Sequence, residues 1–215
     1  MIRFTPFPFL IAMALAACNG APSPQTPAME TETAPAVETA TAAEEEKPMS
    51  HYTDKLADIK TGKGTITIRF SPDKAPNHVR NFIDLAEEGY YDGVRFHRVI
   101  PGFMIQGGDP NTKTDDRGSW GTGGTGKYLD AEFNDTPHRR GIVSMARAGH
   151  PNSASSQFFI VVKDSNFLDG QYTVFGEVVS GMDIADAIVE AGKGKENPDD
   201  PVKIESIEIR AADQA

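Results

Sequence analysis

Residues 96–110 read FHRVIPGFMIQGGDP, a stretch that is as apolar as a buried strand yet contains two side chains that a protein core rarely accepts. Arg98 carries a charge and Gln106 a primary amide, and burying such groups without hydrogen-bond partners costs free energy. The residues alone allow two interpretations. Either both side chains face solvent by chance, or they line a concave site where the backbone of a substrate is their partner.

Short strand-like runs and glycine-rich connections surround this stretch. TITIRF, residues 65–70, places Ile and Phe on one face and Thr and Arg on the other, which is typical of a half-buried strand. Helical spacing predicts one helix between Pro76 and Gly89 and another at residues 182–190. Many strands with two isolated helices indicate a mainly β fold, most economically a closed antiparallel barrel with helices over its ends. Further strand-like runs cover residues 94–100, 103–106, 141–146, 158–162, 172–179 and 202–209.

The composition limits the partners of the chain. Its 215 residues suit one folded domain with additional segments, and 39% hydrophobic residues are enough for a sizeable core. The formal net charge is −10. Because nucleic-acid binding depends on clustered positive charge, we expect no nucleic-acid partner.

The first 18 residues have the pattern of a targeting segment. Arg3 precedes an apolar run at residues 7–17, which is too short to span a bilayer. The run ends in LAAC, similar to a bacterial lipobox, and Cys18 is the only cysteine in the chain. We therefore expect residues 1–18 to be a lipoprotein signal peptide with Cys18 lipidated. An ordinary signal peptide with an incidental cysteine is the alternative.

This interpretation places the protein on the periplasmic side of a cell envelope. Membrane contact is then made only through the lipid anchor at Cys18, and Asn19 favours the outer over the inner membrane. Residues 19–53 are rich in Pro, Ala, Thr and Glu, which cannot bury enough apolar surface to order, so we expect a disordered tether. The folded domain is expected at residues 54–212.

Several other motifs lead to negative predictions. GTGGTGK, residues 121–127, is followed by Tyr128 rather than the Ser or Thr of a phosphate-binding P-loop, so we interpret it as a mobile glycine-rich surface loop. No G-x-S-x-G motif supports a hydrolase. The five histidines lack metal-ligand spacing, so no metal is expected, and His78 on the first helix is predicted to lie at the surface.

Three runs in one order carry a resemblance to a known family. They are FHR-x-IPGFM-x-QGGDP, SSQFFI at residues 155–160 and NFLDGQYTVFGEVVSGMD at residues 166–183. Together they resemble the cyclophilin family of peptidyl-prolyl cis/trans isomerases, over about residues 56–210. The resemblance implies a closed eight-stranded antiparallel barrel with two capping helices, an active site in a groove outside the barrel, and no metal or organic cofactor.

The resemblance also implies residue roles. Arg98, Phe103 and Gln106 fall at catalytic positions, where the arginine donates toward the imide and the glutamine holds the backbone before proline. From local context alone, Arg98 would be a surface strand residue, Gln106 a turn residue and the apolar members ordinary core or packing residues. The substrate-binding positions are His97, Met104, Ala146, Arg147, Gln157, Phe159, Phe167, Leu168 and Tyr172.

The chain departs from many eukaryotic relatives at three places. Phe167 stands where they have tryptophan, so the indole donor that binds cyclosporin is absent. Tyr172 replaces a pocket histidine, which keeps an aromatic wall and looks like the bacterial branch. Relative to the shortest form of this loop in the family, ARAGHPNSASS carries an additional residue near His150.

The expected function is acceleration of X–Pro isomerisation in folding or flexible envelope proteins, by a monomer. Two alternatives remain open. The domain could be a proline-peptide binding module or holdase chaperone with little turnover, and loss of Arg98 separates these roles. It could instead be an envelope scaffold positioned by its tether, in which case deleting residues 19–50 would matter more than any pocket substitution.

Overall fold

The structure, a computed structural model, describes residues 47–214. The expected signal peptide, Cys18 and most of the expected tether lie outside the described residues. Within residues 47–214, no helix combines the length and apolar character needed to cross a membrane.

Eight strands form one antiparallel sheet, in which hydrogen-bonded neighbours follow the order β3-β4-β6-β5-β7-β2-β1-β8. The predicted mainly β, antiparallel, eight-stranded class with two α-helices is confirmed. The strands are β1 (Lys55–Thr61), β2 (Gly64–Phe70), β3 (Arg98–Ile100), β4 (Met104–Gly107), β5 (Ile142–Met145), β6 (Phe158–Val161), β7 (Val174–Ser180) and β8 (Ile204–Ala211).

The two ends of the sheet approach each other without forming a continuous ladder. Strands β3 and β8 are not paired along their lengths, but an isolated antiparallel bridge joins Arg95 to Lys203. The Phe96 N–H donates to the Val202 carbonyl at 2.9 Å, just before β8. The described sheet is therefore curled, and the full closure expected from the sequence is not shown.

Two strand predictions needed correction. The strand β1 was not predicted, although Asp58 and Lys60 alternate with the buried Ala57 and Ile59. In the structure Arg210 donates to the Asp58 carboxylate at 2.8 Å. The run at residues 94–100 forms a strand only from Arg98 onward, and residues 94–96 instead bond to residues 202–204, where β8 begins.

Helix α1 (Pro76–Glu87) begins with proline in its first turn, and Gly89 with φ of 69° follows its end. Its Phe82 is fully buried, with ring centroids of Tyr91, Phe158 and Phe175 at 5.0–5.3 Å. The aromatic contacts fix α1 against the sheet. A second helix, α2 (Met182–Ala191), matches its prediction closely.

His78 is buried, so its predicted surface location is wrong. The loop that carries Glu132 covers the start of α1, and the His78 Nδ1 lies 2.7 Å from the Glu132 carboxylate. Glu132 also accepts hydrogen bonds from the backbone N–H groups of Asn77 and His78, both at 3.1 Å. A remote carboxylate therefore caps this helix, whose own N-cap residue, Ala75, has no side-chain acceptor.

The packed chain begins before residue 54, where the domain was expected to start. Tyr52 is only 2% exposed, and its hydroxyl donates to the Asp84 carboxylate of α1 at 3.1 Å. Lys47 lies 2.9 Å from Asp84 and 2.6 Å from Glu87. Residues 47–53, assigned to the tether from composition, thus contact α1.

Two apolar clusters lie on opposite faces of the sheet. Successive strand residues point to opposite faces, so Ile105 and Phe158 enter the large internal core while Met104 and Phe159 enter a smaller cluster outside it. Leu168 joins the outer cluster from the 3-10 turn at Asn166–Leu168. This outer cluster is the base of the site described next.

Candidate active site

Strand register brings the unusual polar side chains together. Arg98 of β3 pairs directly with Gln106 of β4, and Gln106 pairs with Phe159 of β6. Directly paired residues project from the same face of a sheet, with Cβ atoms about 5 Å apart. Arg98, Gln106 and Phe159 therefore form one row across three strands on the outer face.

A cavity of about 520 Å³ covers this row. It brings together most of the residues that the sequence analysis selected. Gln157 and Phe167 are the two that do not line it. The selected residues that line it are His97, Arg98, Phe103, Met104, Gln106, Ala146, Arg147, Phe159, Leu168 and Tyr172.

The floor of the cavity is apolar. Met104, Phe159 and Leu168 are each no more than 7% exposed. The Tyr172 ring stands edge-on to Phe159, with centroids 5.6 Å apart. Phe167 is 65% exposed and packs its ring 5.3 Å from that of Phe103, so it extends the apolar surface beyond the cavity rim. Such a floor suits a small ring without polar atoms.

A buried polar network supports the floor from behind. His138 is fully buried, with Nε2 at 2.9 Å from the Ser144 hydroxyl and Nδ1 at 2.9 Å from the Asp169 carboxylate. Its ring lies nearly parallel to that of Phe159, 6.2 Å away. The backbone N–H and imidazole of His138 hold the pKa of Asp169 below its usual value. Because Ser144 is itself fully buried, this arrangement positions Phe159 and offers no nucleophile to a substrate.

A chain of amides forms the polar side of the cavity. The Gln106 side chain donates to the Gln157 side-chain oxygen at 2.9 Å. Gln157 in turn donates to the carbonyls of Gly121 and Gly123, at 3.1 and 2.9 Å. Gln157 thus holds the side chain of Gln106 from outside the first cavity. Both residues also line an adjacent cavity of about 640 Å³.

The glycine-rich loop at residues 121–127 is a wall of the site, held by buried groups. The Asp109 carboxylate, which is fully buried, accepts a hydrogen bond from the Gly121 N–H. A Cβ added at Gly123 would lie 2.2 Å from the same carboxylate, so glycine is required there. From its sequence this loop was expected to be a mobile surface loop without a role in the site.

The remaining side of the cavity contains Arg98 and His97. The Arg98 side chain is 40% exposed, and its Nε donates to the Glu196 carboxylate at 2.6 Å. His97 is 4% exposed, and burial lowers its pKa, opposed by the negative charge of Asp109. No residue within 47–214 accepts or donates a hydrogen bond at the buried His97 Nδ1.

Further lining residues were not found from the sequence. The Trp120 indole N–H donates to the Thr114 carbonyl at 3.2 Å, and the Arg117 guanidinium lies 4.6 Å above its ring. Trp120 is the single tryptophan of the chain, which is the one signal that could have drawn attention to this loop. The additional lining residues are Arg117, Trp120, Gly121, Glu196 and Asn197.

The arrangement suits binding and polarisation of an extended polypeptide. It combines an apolar floor, a chain of side-chain amides and a guanidinium on the walls of one cavity. Among residues 47–214 no group of three or more acidic or histidine side chains is placed to hold a metal ion.

Comparisons with known proteins agree with this geometry. The family model "Cyclophilin type peptidyl-prolyl cis-trans isomerase/CLD" matches residues 56–209. A Brucella abortus protein named "Probable peptidyl-prolyl cis-trans isomerase" is 45% identical over 177 residues, covering 78% of this chain and 86% of the relative. A peptidyl-prolyl cis-trans isomerase of Schizosaccharomyces pombe is 44% identical over 154 residues, covering 68% of this chain and 94% of its own length.

Solved structures show the same similarity. A cyclophilin-type isomerase of Cryptosporidium parvum, crystallised in the presence of the dipeptide Ala-Pro, superposes with a TM-score of 0.66 at 33% identity. The superposition covers 73% of this chain and 99% of the other. A cyclophilin from Hirschia baltica gives a TM-score of 0.62 at 29% identity, covering 72% of this chain and 73% of its own. This chain belongs to the cyclophilin-type family of peptidyl-prolyl cis-trans isomerases.

Proposed function

We propose that this chain accelerates cis/trans isomerisation of X–Pro bonds in folding or flexible proteins of the cell envelope. The observation that carries the proposal is the row formed by Arg98, Gln106 and Phe159 across β3, β4 and β6. It places a cation, an amide and an apolar surface on one wall of a single cavity.

The chemistry needs neither a nucleophile nor a cofactor. Conjugation makes rotation about a peptide bond cost about 18–20 kcal/mol, and X–Pro bonds interconvert in roughly tens to hundreds of seconds. In the twisted state the conjugation is lost, and the imide nitrogen becomes pyramidal and basic. A catalyst must hold the proline ring, allow the preceding carbonyl to swing and donate hydrogen bonds to the twisted imide.

The cavity provides a group for each task. The floor at Met104, Phe159 and Leu168 holds the proline ring by apolar contact. Gln106, oriented by Gln157, holds the backbone of the residue before proline. The Arg98 guanidinium donates toward the imide, where its fixed planar donors stabilise charge that is present only in the twisted state.

Proline-containing peptides are the proposed substrates. The crystallisation of the Cryptosporidium parvum relative with Ala-Pro supports this class. The cavity of about 520 Å³ is large enough for a proline and parts of its neighbours.

Exchange NMR on an X–Pro peptide tests the activity. We expect the wild-type protein to accelerate exchange, and Arg98→Ala and Arg98→Lys to lower kcat/KM by about 10²–10³-fold, the usual cost of removing a transition-state donor. Unfolding temperatures and peptide affinity serve as controls, because the half-exposed Arg98 contributes little to the core. Peptide binding by the wild type without faster exchange would instead support the binding module or holdase chaperone.

We also propose that the domain is lipid-anchored at Cys18 on the periplasmic side of the envelope. The lipobox-like residues 15–18, the apolar run before them and the Pro/Glu-rich residues that follow support this location. Incorporation of a labelled fatty acid into the wild type, and its loss in Cys18→Ser, is the expected result. Equal labelling of both proteins, or of neither, contradicts the anchor.

We propose further that the curled sheet closes into a barrel through the Arg95–Lys203 bridge. The Ile204 N–H, which donates to the Val94 carbonyl at 2.7 Å, supports the closure. In hydrogen exchange this N–H should be as protected as those within β1 and β2. Exchange at the rate of an exposed loop would contradict a closed barrel.

A further inference from the structure

We infer that Glu196 is a positioning residue that holds the guanidinium of Arg98 in the orientation that isomerisation requires. The inference rests on the proposed function and adds to it a residue from a distant segment. Glu196 follows α2 and lies 98 positions after Arg98 in the chain.

Glu196 is attached to β3 by two different groups. Its carboxylate accepts a hydrogen bond from the Arg98 Nε at 2.6 Å. Its backbone carbonyl accepts from the N–H of the next strand residue, Val99, at 2.7 Å. Because the backbone bond fixes where residue 196 lies, the carboxylate is placed beside Arg98 before any substrate arrives.

The segment carrying Glu196 is also held from its other side. The Arg117 guanidinium donates to the Pro198 carbonyl at 2.9 Å and to the carbonyl of Asp199. Glu196 and Asn197 both line the cavity. Glu196 and Asn197 therefore line the cavity from a segment, residues 196–199, that is held between β3 and the loop that carries Arg117.

The division of donors on Arg98 explains what this contact does. A guanidinium has one N–H on Nε and four on its two terminal nitrogens. Glu196 takes the Nε donor, and no acceptor within residues 47–214 takes the terminal ones. The pair thus fixes the plane of the guanidinium and leaves the terminal donors for the imide. Without it, a 40% exposed arginine would sample several rotamers.

The opposite role for Glu196 is competition with the substrate for Arg98, and the two roles predict opposite changes in activity. If Glu196 competed with the substrate for Arg98, its removal would raise activity. If it positions Arg98, its removal lowers kcat and leaves peptide affinity, which the apolar floor supplies, nearly unchanged. The sign of the change in kcat therefore decides between the two roles.

The experiment compares three variants of the full-length chain by exchange NMR. We expect Glu196→Ala to lower kcat by about three- to tenfold, a modest effect because the pair is partly solvent-exposed. Glu196→Gln keeps an oxygen that accepts from Nε and should recover most of the loss. Glu190→Ala, an exposed residue of α2 with the same change of charge, should match the wild type. Unfolding temperatures should stay within about 2 °C of one another, as for other surface changes.

Two further measurements separate positioning from a general structural effect. In an Arg98→Lys background, which has no Nε donor, Glu196→Ala should lower kcat no further. The Arg98 Nε–H signal should shift in NMR spectra of Glu196→Ala while the other arginine signals remain in place. An unchanged or higher kcat in Glu196→Ala, with the wild type active, would overturn this inference alone. An inactive wild type would overturn the proposed function, and the role of Glu196 with it.

Discussion

The local sequence around Arg98 and Gln106 says least about the role of these two side chains. Each could have been an incidental surface side chain, yet the β3–β4 register places them directly opposite each other. Between Met104 and Gln106, Ile105 points into the internal core, so the two flanking side chains share the outer face as the alternation predicted. Their polarity therefore belongs to the cavity and does not disturb the core.

The pH dependence of activity follows from His97. Burial is the main cause that keeps its pKa below 6.5, so the imidazole is neutral at neutral pH. We expect kcat/KM to be nearly constant around and above neutral pH, and to fall only in acid, below the ordinary histidine range, as a second cation forms beside Arg98. The loss of activity lies on the acid side because the pKa of His97 is lowered, so the imidazole is protonated only when the pH drops below the ordinary histidine range.

The measurement is kcat/KM for an X–Pro peptide between about pH 5 and 9, in the wild type and in His97→Asn. The variant keeps a hydrogen-bonding side chain but does not titrate, so its acid limb should disappear. An identical acid limb in both proteins would assign the titration to another group.

Among the elements, α1 depends on a residue outside itself. Glu132 caps two backbone N–H groups of its first turn and bonds the buried His78. We expect Glu132→Ala to lower the free energy of unfolding by about 1–3 kcal/mol, the sum of a lost cap and a lost buried hydrogen bond. For a domain of this size that is a fall in Tm of roughly 3–10 °C.

Thermal unfolding followed by circular dichroism measures this effect. Glu88→Ala is the matched control, because Glu88 is the C-cap residue of the same helix, is exposed and has no side-chain hydrogen bond to any residue within 47–214. A Tm for Glu132→Ala equal to that of the control would show that α1 does not need the remote cap.

At the scale of the whole molecule, the packed unit includes residues that composition assigned to the tether. Tyr52 is buried against α1, and Lys47 makes ion pairs with Asp84 and Glu87. We therefore expect a protein that starts at residue 47 to fold and to isomerise a soluble peptide. Removing residues 47–53 as well should lower the free energy of unfolding by about 1.5–3 kcal/mol, mainly because the burial of one aromatic side chain is lost.

Chemical denaturation of the two truncated proteins gives this difference directly. Tyr52→Ala in the longer protein should reproduce most of it, whereas Tyr128→Ala, at a tyrosine that is 72% exposed, should have little effect on stability. Equal stability of the two truncated proteins would place residues 47–53 outside the cooperative unit.

The pattern of residues determined the fold class, the family and most of the cavity. Alternating strands and helical spacing are local properties, so they can be read from neighbours in the chain. The family motifs are also contiguous, so FHR-x-IPGFM-x-QGGDP and SSQFFI singled out Arg98, Phe103, Gln106 and Phe159 before the structure showed that all four line one cavity. The lipid anchor at Cys18 stays a prediction from the same kind of local signal.

Only the tertiary structure decided the contacts between segments far apart in the chain. The Arg98–Glu196 pair, the cap from Glu132 on α1 and the support of Phe159 by His138 join residues with no shared motif. The tertiary structure also showed that His78 is buried, although its position on the helix predicted a surface location. The difference arises because burial depends on what covers a helix. A pattern in sequence encodes which face of an element is apolar, whereas the identity of the groups that meet there is set by how the elements pack.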